Sequence, residues 1–127
     1  MKAWWLNGQR HRVNGPAVIA ADGSQWWWFN GQVHREGGPA RLDADGREEW
    51  WYNDQPHRIG GPAIIHTDGY RAWYINGVKH CTVGPAITHP YGRQEWYIEG
   101  VLITDPTEIE YLENGTHILQ LAIADNL

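Results

Sequence analysis

Residues 27–49 read Trp27-Trp28-Phe29-Asn30-Gly31-Gln32-Val33-His34-Arg35-Glu36-Gly37-Gly38-Pro39-Ala40-Arg41-Leu42-Asp43-Ala44-Asp45-Gly46-Arg47-Glu48-Glu49. Three aromatic residues, at home in a strand, lead into Asn-Gly, which tolerates φ > 0 and closes tight hairpins. After Gly38-Pro39 a second short strand begins, and Pro at its first position forfeits no ladder hydrogen bond. Asp45-Gly46 turns the chain back toward the next aromatic segment.

The same text recurs every 23 residues. Trp4, Trp27, Trp50, Trp73 and Trp96 keep that step, as do Asn7-Gly8, Asn30-Gly31, Asn53-Asp54, Asn76-Gly77 and Glu99-Gly100. His11, His34, His57 and His80 follow it, with Gly-Pro-Ala at 15–17, 38–40, 61–63 and 84–86. Asp22-Gly23, Asp45-Gly46 and Asp68-Gly69 complete the pattern, and Tyr91-Gly92 is its degraded fourth copy. Repetition at one period is the mark of an array in which each unit packs on its neighbours. The expected organisation is a single domain over 1–127, with repeats at 4–26, 27–49, 50–72 and 73–95, a partial repeat at 96–105 and a C-terminal cap at 106–127.

The predicted fold is an all-β repeat, an elongated twisted antiparallel sheet of stacked β-hairpins. The segment between Asn-Gly and Gly-Pro reads as a third strand or a long loop. Parity favours two strands per repeat with the His-Arg segment in the connection, because an even number leaves every unit pointing the same way. Period-2 alternation then buries Trp4/Leu6, Trp27/Phe29, Trp50/Tyr52, Trp73/Ile75 and Trp96/Ile98 on one face. Trp5, Trp28, Trp51, Tyr74 and Tyr97 fall on the other. In the cap, Asp105-Pro106-Thr107-Glu108 has the form of a helix start, predicting a short helix near 106–114 stopped by Asn114-Gly115. His117 to Ala124, with Leu119, Leu121 and Ile123 on one side, reads as a last strand.

Composition narrows the function classes. The 127 residues include nine Trp, fifteen Gly, seven Pro and a single cysteine, Cys81. One cysteine excludes an internal disulfide framework and an all-cysteine zinc site. No run reaches the ~18 apolar residues of a membrane helix, and the start lacks the apolar core of a signal peptide, so the expected location is cytoplasmic. The formal net charge is −5. Residues 95–127 hold seven acids and no Lys or Arg, leaving eight acids and ten basic residues in 1–94. An acidic chain is poorly suited to sequence-independent binding of nucleic acid or anionic lipid.

No nucleophile, metalloprotease or phosphate-loop signature occurs, and a line of identical residues does not make the single asymmetric constellation that catalysis needs. The reading is therefore of a protein that is not an enzyme and uses no cofactor. The histidines do not form a metal site: two strands per repeat at ~4.8 Å each hold them about 9.6 Å apart, whereas two nitrogens on one zinc are at most ~4 Å apart. A structural histidine packed on Trp and bonded to a turn carbonyl is expected instead. The Arg12, Arg35 and Arg58 ladder reads either as a set of internal salt bridges or turn-carbonyl contacts, with the Asp of Asp-Gly as partner, or as a cationic stripe that meets an acidic partner or a phosphate-bearing ligand. For the Trp5, Trp28, Trp51 and Tyr74 ladder, ring spacing near ~10 Å requires second-strand side chains or a ligand between the rings. Those seven residues are the candidate partner-binding set.

The 23-residue step with N-G-x-x-H and a later D-G resembles MORN repeats (membrane occupation and recognition nexus) over residues 4–100. MORN units run N-G-x-x-H-G-x-G with D-G nine residues after the His. Here Arg12, Arg35 and Arg58 follow the His, and Asp22 comes eleven residues after His11. This is similar to a divergent variant in bacterial and viral proteins, some of them antitoxin components. The resemblance implies a β-hairpin array and, for function, a non-catalytic protein-binding module that inhibits or neutralises a bacterial effector. A homodimer through the sheet face or the C-terminal edge is a further expectation. The aromatic repeats also look like cell-wall-binding repeats, so a carbohydrate ligand is the rival, with capture of a small phosphorylated ligand as a third reading.

Overall fold

The computed structural model describes residues 1–113, and the expected Asn114-Gly115 stop and last strand at 117–124 lie outside them. Within them the protein is an array of short antiparallel hairpins with one helix, Pro106–Glu113. The helix begins where its cap chemistry places it, with the Thr107 backbone N–H donating to Asp105 Oδ1 at 2.8 Å.

Each repeat supplies two hairpins rather than one. Val18–Ile19 and Gln25–Trp26 are joined across Asp22-Gly23, and such pairs line up in chain order into a ten-stranded antiparallel sheet. Trp28–Phe29 and Gln32–Val33 form a smaller hairpin around Asn30-Gly31. Four short strands per repeat replace the expected two, because the segment after Asn-Gly is a strand in its own right and the aromatic strand is split at its first repeated Trp. The number remains even, so every repeat points the same way.

Both turn chemistries behave as their residues dictate. Asn30 and Gly31 sit at φ 49° and 77°, and the equivalent pairs at 7–8, 53–54, 76–77 and 99–100 are positive at both positions. Asp22, Asp45 and Asp68 each accept a bond from the backbone N–H two residues on, at 2.8, 3.0 and 3.0 Å.

The aromatic strand changes partners at its first repeated Trp. The Trp27 N–H donates to Ala40 O of the large sheet at 2.6 Å, while its carbonyl accepts from the His34 N–H of the small hairpin at 3.1 Å. Alternation therefore does not carry through this residue, which corrects the expected buried face at Leu6, Phe29 and Tyr52, while Ile98 is buried as expected. Trp4, Trp27, Trp50, Trp73 and Trp96 are half-buried, whereas Leu6, Phe29 and Tyr52 are 47, 41 and 39 % exposed. The Ala of each Gly-Pro-Ala (Ala17, Ala40, Ala63 and Ala86) is among the deepest positions, with no exposed surface. A larger side chain after Gly-Pro has nowhere to go.

Candidate functional site

The arginines of the His-Arg pairs fold back on their own repeats. Arg35 Cζ lies 3.9 Å from the centroid of the Trp27 ring, and Nη1 donates to Pro39 O at 3.1 Å. Arg12 stacks on Trp4 at 4.0 Å and bonds Pro16 O; Arg58 stacks on Trp50 at 3.9 Å and bonds Pro62 O. The guanidinium lies flat against Gly38, where an added Cβ would come within 2.7 Å of Arg35 Cζ. So the glycine of Gly-Pro-Ala makes room for an arginine three residues earlier. The carbonyl partner is the one expected, but the Asp of Asp-Gly takes no part. Among the described residues no carboxylate lies within 4.0 Å of Arg12, Arg35 or Arg58.

The histidines join one repeat to the next. His11 Nδ1 accepts from the Asn30 N–H at 3.0 Å, His34 from Asn53 at 3.0 Å, His57 from Asn76 at 2.9 Å and His80 from Glu99 at 2.9 Å. The bond reaches a turn N–H of the following repeat, not the turn carbonyl expected, with Nδ1 as the acceptor. The imidazoles interleave with the exposed rings: His11–Phe29 centroids are 4.5 Å apart and His34–Tyr52 4.4 Å, the planes tilted at 46° and 53°.

The other aromatic ladder is filled from within. Trp5 pairs across its hairpin with Arg10, Trp28 with Val33, Trp51 with Pro56 and Tyr74 with Lys79. Arg10 Cζ lies 5.3 Å from the Trp5 ring and 5.5 Å from the Trp28 ring, wedged between them. A second-strand side chain thus occupies the gap between Trp5 and Trp28. Trp5, at the first repeat, is 59 % exposed, while Trp28, Trp51 and Tyr74 are half-buried.

A charged cluster that breaks the repeat escaped the sequence reading. Arg41 forms a bidentate pair with Asp43 at 2.9 and 2.9 Å and donates to Glu49 Oε2 at 3.2 Å. Glu49 Oε1 accepts from Trp51 Nε1 at 3.0 Å, and Arg41 Cζ lies 4.5 Å from the Trp26 ring. Asp43 holds the Arg41 guanidinium above its usual pKa. The available signal was substitution within the repeat, since the positions equivalent to Arg41 are Val18, Ile64 and Ile87. Glu49 and Arg41 satisfy each other, so the cluster reads as a brace between strands.

Two equivalent grooves open between successive His-Arg loops. Arg12, Trp27, Phe29, His34 and Arg35 line the first; Arg35, Trp50, Tyr52, His57 and Arg58 line the second. Arg35 is the wall they share. Of the candidate set, the arginines border these grooves, whereas Trp5, Trp28, Trp51 and Tyr74 belong to the neighbouring ladder. Cys81 replaces the fourth arginine; it is buried, and burial pushes its thiol above the usual pKa. Among the described residues no group of three or more His, Cys, Asp or Glu is placed to hold a metal ion, and no helix is long and apolar enough to cross a membrane.

No protein-family model matches this chain, and no curated protein matches its sequence.

Proposed function

We propose that this chain is a non-catalytic protein-binding repeat module, acting in the cytoplasm, and that its partner docks on the face carrying the Asn-Gly hairpins and the His-Arg grooves. The carrying observation is the row of exposed apolar side chains Leu6, Phe29 and Tyr52, 47, 41 and 39 % exposed at equivalent positions of three repeats. A row of exposed apolar side chains set among polar groups is characteristic of interaction surfaces. The resemblance to MORN-variant antitoxins supports inhibition of a bacterial effector as the concrete form of that binding. The glycan reading is weaker, because Arg10, Val33, Pro56 and Lys79 pair with the rings between which a sugar would lie.

The test compares Phe29→Gln/Tyr52→Gln with a control change at Thr67, exposed near an Asp-Gly turn, in affinity capture from bacterial lysate. Loss of a captured protein in the first variant alone, with both variants folded by circular dichroism, supports the reading. Equal recovery on both, or none above bare resin, rejects it.

A further inference from the structure

We infer that the partner segment seated in the two grooves is an acidic polyproline II strand with a carboxylate at every third residue. This rests on the protein-binding reading and names the chemistry of the partner.

Three features converge. The grooves are partly aromatic, with Trp27 and Phe29 lining one and Trp50 and Tyr52 the other, and aromatic-lined grooves suit the stiff, internally unbonded polyproline II helix. Their walls are cationic: Arg12, Arg35 and Arg58 have no carboxylate within 4.0 Å among the described residues. Each guanidinium commits Nη1 to a proline carbonyl, and the group has five N–H donors in all, so others remain for a carboxylate.

The third feature is pitch. Each repeat adds two strands to the large sheet, a step of about 9.6 Å. One turn of polyproline II is three residues at 3.1 Å, about 9.3 Å, so every third side chain meets an equivalent wall. An extended β-strand presents the same side every ~6.8 Å, which falls out of step at the first repeat. Seven residues of α-helix advance about 10.5 Å and overshoot by about 2 Å over two steps, against a shortfall of about 0.6 Å for polyproline II. Among the described residues Glu36 is the one acid lining the grooves; its side chain is 77 % exposed and lies 4.0 Å from His34 Nε2.

The experiment titrates the full chain with three capped peptides: repeated Glu-Pro-Pro, repeated Glu-Pro-Pro-Pro and repeated Lys-Pro-Pro. Binding is followed by calorimetry and by the Arg Nε–H resonances, which need no mutation. Glu-Pro-Pro is expected to bind on the order of tenfold tighter than the four-residue spacing, through several contacts in register, and to shift the signals of Arg12, Arg35 and Arg58. Glu36→Gln, at an exposed position, should tighten it further. Equal affinity for the two spacings overturns the register, equal affinity for the lysine peptide overturns the charge assignment, and no binding by any peptide overturns the inference as a whole. In each of those cases the protein-binding reading stands or falls separately, on capture by the Phe29/Tyr52 variant.

Discussion

Arg35 lies flat between the Trp27 indole, 3.9 Å from its Cζ, and the bare Cα of Gly38. The aromatic strand, the His-Arg loop and the Gly-Pro turn of one repeat are thereby pinned at a single point. The stack and the bond to Pro39 O give the module its energy.

Gly38→Ala should destabilise the protein by about 1–2 kcal/mol, the worth of a stack and a hydrogen bond lost when the guanidinium is pushed aside. Gly84→Ala is the matched control. It occupies the same repeat position, but Cys81 replaces the arginine and an added Cβ meets nothing within 4 Å. It should be neutral or stabilising by up to about 1 kcal/mol through the unfolded chain. Urea denaturation of the pair measures both; equal costs would mean that the arginine is not what requires the glycine.

Cys81→Arg follows from the same geometry and runs against the usual expectation for a buried position. Trp73, Gly84 and Pro85 stand where their counterparts stand in the other repeats, and the bond from the Cys81 N–H to Tyr97 O is backbone. The new arginine should complete the fourth module and raise stability by about 0.5–1 kcal/mol. A fall in the unfolding midpoint would show that this repeat has closed over the site.

Glu99 occupies the first turn position at φ 49°, where the other four repeats have Asn. Asn tolerates the left-handed region far better than Glu. Glu99→Asn should therefore stabilise the protein by about 0.5–1 kcal/mol, read as a rise in midpoint at unchanged denaturant slope.

What the sequence made legible was local or periodic. Asn-Gly and Asp-Gly turns depend on residues two apart, the helix start on four consecutive ones, and the array on one repeated step. What escaped it was non-local. Nothing in the text of Trp26-Trp27-Trp28 says that the strand changes partners at Trp27, so alternation misassigned Phe29 and Tyr52 to the interior. The partner of His34 is a turn 19 residues away in the next unit, reached only once the stacking is known. The glycine under Arg35 was hidden for another reason: Gly84 persists where the arginine is gone.

Glu95 contributes a pH dependence. Its bond to His89 Nε2, at 2.5 Å, holds its carboxyl below the usual value. A depressed folded pKa means that the contribution is present above the unfolded value near 4.5 and is lost as pH falls through the lower folded one. Glu95→Gln should thus be less stable than the parent near pH 6, with the two converging in the acid limb. Acid titrations of unfolding check this, and a gap that widens below pH 4 would refute the assignment.

The histidine bonds make the sharpest local prediction, because their donors are single identifiable amides. His57→Phe keeps a ring beside Tyr52, whose centroid lies 5.9 Å from that of His57, but leaves the Asn76 N–H without its 2.9 Å acceptor. The cost should be about 1–2 kcal/mol, that of a hydrogen bond lost from a turn that still has access to water. Hydrogen exchange locates it. Asn76 should exchange faster, while Asn53, held by His34 one repeat earlier, should change much less, since each clamp joins only neighbouring units. If both amides accelerated equally, the array would be opening as one cooperative block, and the repeats would not be the units in which its stability is held.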